Sequence, residues 1–75
     1  MTTQTTIRSD ITGTVWKIMA VEGAALEAED TIMVLESMKM EIPVLAPEQG
    51  RLVKLLIAEG ESVREGQDLA IFEEA

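Results

Sequence analysis

The chain has 75 residues, 14 acidic and 6 basic, for a net charge of −8, and contains neither cysteine nor histidine. That length makes one small domain, and the two missing residue types remove disulfides, the usual zinc sites and the usual general base near neutral pH. The acidic balance argues against nucleic acid and anionic membrane and suits partners with basic faces, while no D-x-D-x-D-G loop gathers the carboxylates around a hard metal.

At the N-terminus "MTTQTTIR" lacks the apolar core of a secretory signal, and the apolar runs are too short to span a bilayer. The expectation is a cytoplasmic protein with a flexible tail over residues 1–6 and a domain over 7–75. "TVWKIMAV" (14–21) alternates, which predicts a half-buried strand with Trp16, Ile18 and Ala20 toward the core and Lys17 outward. Gly23 follows, able to supply the positive φ of a tight turn. The alanines and glutamates of "VEGAALEAED" (21–30) compete for helix. After them comes the apolar run "TIMVLE" (31–36), and beyond Lys39 the strand-like "MEIPV" (40–44). "RLVKLLIA" (51–58) alternates again, with Val53, Leu55 and Ile57 on one face; Gly60, "SVRE" and "DLAIFE" (68–73) complete the chain.

These elements are written twice. With an offset of 37 and no gap, residues 13–36 overlay 50–73: Gly13 meets Gly50, Lys17 meets Lys54, Glu22-Gly23 meets Glu59-Gly60, and Glu36 meets Glu73. The apolar positions agree as well, among them Val15 with Leu52 and Leu35 with Phe72. The repeat settles the helix question, because the counterpart "AEGESVREGQ" has glycine near both ends and holds a helix poorly. An all-β domain follows, built from two similar halves of about four short strands each, related by a pseudo-two-fold. Neither half can bury its apolar face alone. Glu29 occupies the position of Gly66; if both turns need φ > 0, Glu29 is strained by roughly 1 kcal/mol.

"ESMKMEIPV" joins the halves. Its near-mirror pattern sets Leu35 against Ile42, Glu36 against Glu41 and Ser37 against Met40, which predicts a two-residue hairpin loop of Met38-Lys39. Such a loop breaks local rules: it lacks Asn-Gly, opposes two glutamates and exposes methionine. A bland reading makes both methionines core residues and Lys39 an incidental charge. Rule-breaking between the repeats favours function instead. Schiff-base catalysis needs a desolvated amine with acid–base neighbours, and an exposed tip offers neither. Covalent modification by another enzyme is the reading that remains.

"ESMKME" between two glycine-punctuated β halves closely resembles the biotinyl, or biotin carboxyl carrier, domain family, and the resemblance covers residues 7–73. It implies a flattened barrel of two four-stranded antiparallel sheets, the barrel-sandwich hybrid, with Lys39 carrying biotin in amide linkage. Met38 and Met40 match the family's flanking methionines and Glu36 its frequent glutamate, with Glu41 completing the motif; Ser37 stands where alanine is usual. "SDITGTV" replaces the family's "APMPGTV", and the gapless repeat leaves no room for the thumb that some carriers insert. The resemblance further implies a non-catalytic carrier, monomeric in isolation. A biotin protein ligase would load it, and it would carry carboxybiotin from biotin carboxylase to a carboxyltransferase. Two alternatives stay open: a lipoyl carrier, whose lysine usually follows Asp and precedes Ala, and an unmodified interaction module using an exposed apolar face around Met19 and Leu56, with Val15 and Leu52 on that face unless a bulge buries them.

Overall fold

The computed structural model describes residues 3–75. It holds eight strands and no helix among those residues: β1 (Thr3–Arg8), β2 (Gly13–Ile18), β3 (Ala25–Leu26), β4 (Thr31–Ser37), β5 (Met40–Leu45), β6 (Gly50–Leu55), β7 (Ser62–Val63) and β8 (Asp68–Glu74). They form two four-stranded antiparallel sheets, ordered β1-β8-β6-β3 (the terminal sheet) and β5-β4-β2-β7 (the hairpin sheet). The two sheets pack face to face as a flattened, unclosed barrel around Val15, Ile32, Leu35, Leu52, Leu69 and Phe72, all at most 1% exposed.

Each strand of the first half has a partner of identical length 37 residues later: β1 with β5, β2 with β6, β3 with β7 and β4 with β8. The halves are not the sheets. Each sheet takes two strands from either half, so the terminal sheet joins β1 and β3 to β6 and β8. The interleaving is sealed by reciprocal bonds. Gly23 donates its N–H to the Leu52 carbonyl (2.6 Å) and Gly60 donates to the Val15 carbonyl (2.7 Å). Glu59 accepts from the Ile18 N–H at 2.9 Å and Glu22 from the Leu55 N–H at 2.8 Å. The repeated Glu-Gly pair is thus a clasp in which each half satisfies backbone donors and acceptors of the other.

Two sequence expectations are corrected here. Residues 3–6 are not a flexible tail: they belong to β1, which pairs with β8 from Thr3 opposite Glu74 onward. "TQTTIR" hides its strand because, at a sheet edge, only Ile7 turns fully inward. The rest of the tail, residues 1–2, lies outside the described residues. Trp16 is not a core residue either; it is 51% exposed. Val15 stands opposite Leu35 and Lys17 opposite Val34, so Trp16 is an extra residue, a β-bulge, and the alternation restarts beyond it. The same slip at Val53 sets Leu52 opposite Phe72 and Lys54 opposite Ile71. The bulges bury Val15 and Leu52 while Ile18 and Leu55 still pack on the core. Further slips let consecutive residues, Ile32-Met33 and Leu69-Ala70, both point inward.

Candidate functional site

The overlay of 3–37 on 40–74 accounts for every strand and leaves two residues between the copies, Met38 and Lys39. They form the loop of the β4–β5 hairpin, whose rungs pair Leu35 with Ile42, Glu36 with Glu41 and Ser37 with Met40, as the mirror pattern predicts. Both loop residues have positive φ, 51° at Met38 and 68° at Lys39. A two-residue hairpin loop needs that conformation to follow the right-handed twist of its strands. For residues bearing a Cβ it costs roughly 1–2 kcal/mol each.

The rungs below the loop hold it in place. On β4, Ser37 donates its hydroxyl to the Thr12 carbonyl at 3.0 Å, tying the hairpin to the loop before β2. Thr12 in turn accepts from the Glu65 N–H at 3.3 Å through its own hydroxyl. A Cβ on Gly13 would collide with the Glu36 carbonyl oxygen, so glycine is what allows β2 to lie this close to the hairpin. Three segments therefore meet at one end of the molecule: residues 9–12, the β7–β8 turn and the hairpin.

Every predicted site residue lies on this hairpin. Met38 is 93% exposed and Met40 64%; Lys39, Glu36 and Glu41 are exposed and Ser37 is half-buried. The methionines are therefore not core. Both ion pairs found among the described residues, Arg8–Asp68 and Arg51–Glu73, lie on the terminal sheet. The Lys39 amine is held by neither. A primary amine at the apex of a stapled turn, open to solvent and flanked by flexible thioethers, can enter the active site of a second enzyme and be acylated there.

The family model described as "Biotin-requiring enzyme" matches residues 1–72. The chain belongs to this biotin/lipoyl family. Within it, the chain is 35% identical over 65 residues to the Biotinylated protein TB7.3 homolog of Mycobacterium leprae, covering 87% of this chain and 92% of that protein. It is 38% identical over 64 residues to the mitochondrial methylcrotonoyl-CoA carboxylase subunit alpha of Mus musculus, covering 85% of this chain but 9% of that subunit. Among solved structures, a single-chain, multi-domain long-chain acyl-CoA carboxylase superposes with a TM-score of 0.91 at 35% identity, over 96% of this chain and 7% of that one. This biotin/lipoyl domain therefore matches nearly the whole of a small biotinylated protein and a small part of large carboxylases.

Proposed function

We propose that this domain is a biotin carboxyl carrier and that Lys39 is its attachment site. The observation that carries the reading is the exposed Lys39 in the two-residue tip that joins the two copies of the repeat. In the loading step the Nζ of Lys39 forms an amide bond to the acyl carbon of biotinyl-adenylate on a biotin protein ligase, and adenylate leaves. Bound there, biotin supplies the ureido nitrogen that takes up and releases a carboxyl group. The residues of this chain position it: the positive-φ turn keeps Lys39 exposed at the tip, and Ser37 ties the base of the hairpin to the body. Biotin carboxylase and a carboxyltransferase are the partners between which the carboxyl group moves. The domain itself catalyses nothing; tethering turns a diffusing cofactor into one held at high local concentration near two active sites. We place it in the cytoplasm, monomeric when apart from its partners.

Methionines on both sides of Lys39, and relatives whose names include a biotinylated protein and a carboxylase subunit, favour biotin over lipoate. The test is co-expression with a biotin protein ligase and free biotin, read by intact mass and avidin blot. One biotin adduct is expected, lost in Lys39→Arg. An adduct that survives Lys39→Arg, or a lipoyl adduct instead, would refute the assignment.

A further inference from the structure

The internal two-fold supplies a control inside the molecule: positions related by 37 residues do the same structural job, so where their surface residues differ, the fold does not require the difference. On the terminal sheet, one outward row across β6, β8 and β1 reads Arg51, Glu73, Gln4, with Arg51 paired to Glu73 at 3.1 Å. The equivalent row on the hairpin sheet reads Thr14, Glu36, Glu41, with no cation. The next row is Val53-Lys54, Ile71, Thr6 on the terminal sheet and Trp16-Lys17, Val34, Pro43 on the hairpin sheet. At the far end, the Arg8–Asp68 ion pair is replaced by Leu45 opposite Thr31. The terminal sheet thus holds both of its arginines in ion pairs. The hairpin sheet instead offers Trp16, 51% exposed, with Val34, Pro43 and Leu45, bordered on the Lys39 side by two unpaired carboxylates.

We propose that this outer face of the hairpin sheet, centred on Trp16, is the surface on which the biotin protein ligase docks. The inference rests on the carrier reading above. It follows from reach. Before loading, the amine extends only a lysine side chain from the tip, so the ligase must close over the hairpin itself. Trp16 lies in the outward row of Val34, four residues below the loop, or roughly 13 Å at the rise of a β-strand. That is well within the footprint of a specific interface, about 800 Å² per partner. Tryptophan is also among the residues that dominate interface energetics when desolvated. The ligase surface that fits is an apolar patch for Trp16, Val34 and Pro43 with basic groups facing Glu36 and Glu41.

The experiment uses the whole chain with a biotin protein ligase. Trp16→Val combined with Pro43→Thr narrows the apolar row toward its counterpart on the terminal sheet. It should raise the KM for the carrier about tenfold while leaving kcat within twofold, with the melting temperature recorded alongside. Arg51→Thr, which copies Thr14 onto the terminal sheet, should leave KM unchanged. Because Trp16 is the chain's single tryptophan, 5-fluorotryptophan labelling gives a second readout: its fluorine resonance should shift and broaden on adding ligase to the otherwise unaltered domain. An unmoved resonance with unchanged KM, while the parent chain accepts biotin normally, overturns the docking face alone. A parent chain that no biotin ligase loads sinks the carrier reading, and this inference with it.

Discussion

Glu29 shows how far a single side chain can be forced by its place in a repeat. Its φ is 71°, against 85° for Gly66 at the equivalent turn. The two turns make the same bond, Glu29 N–H to the Ala46 carbonyl (2.9 Å) and Gly66 N–H to the Ser9 carbonyl (2.7 Å). The strain expected from the repeat is therefore present. Glu29→Gly should stabilise the domain by a little under about 1 kcal/mol, because glycine relieves the left-handed strain but also loosens the unfolded chain. In a thermal melt that is a rise of roughly 3–7 °C; a fall would show that the Glu29 side chain supports the turn. Gly13 is the opposite case, a residue needed for its missing atom. Gly13→Ala drives a Cβ into the Glu36 carbonyl oxygen, and pushing β2 off β4 should cost about 1–3 kcal/mol. Denaturant titration measures this. A neutral result would mean that β4 can shift freely beneath Lys39.

The hairpin is the element in which stability and use pull apart. Its register sets Glu36 directly across from Glu41, and opposed like charges on neighbouring strands cost roughly 0.2–1 kcal/mol. Replacing both by Gln should raise stability by about that amount. If basic ligase residues read the pair, biotinylation should slow at the same time, most of all at low ionic strength where charge steering is strongest. Unchanged loading kinetics in the double variant would remove that role for the carboxylates. The hairpin was legible in sequence because its mirror pattern is local: Leu35, Ile42, the two glutamates and the loop lie within ten residues. The bulge at Trp16 was not. Simple alternation set Trp16 with Ile18 and Ala20, and nothing in "TVWKIM" announces that one residue is skipped. The reason for the bulge lies in β4 and in the packing demand that both Val15 and Ile18 reach the core. Long-range pairing overrides strand periodicity in this way because a one-residue slip sends side chains to the opposite face.

For the molecule as a whole, the interleaving of halves decides how it folds. Because each sheet draws strands from both copies, a chain cut between Met38 and Lys39 leaves two fragments that keep only the β2–β4 pair and the β6–β8 pair, neither able to complete a four-stranded sheet. Each fragment alone should give the collapsed proton–nitrogen NMR spectrum of an unfolded peptide. An equimolar mixture should restore dispersed resonances. A fragment that folds by itself would contradict the shared clasp of Glu22, Gly23, Glu59 and Gly60. From the sequence by itself came the all-β class, the internal repeat, the strained turn at Glu29 and the exposed lysine at the hairpin tip. All four rest on spacing within a short stretch or on the match between two copies of the chain. The membership of β1 in the terminal sheet, the exchange of strands between halves and the outward Trp16 were decided only by tertiary structure. Each depends on backbone pairing between segments distant along the chain: β1 meets β8 across more than sixty residues. Edge strands and bulges carry little apolar signal of their own, so only the assembled sheets reveal them.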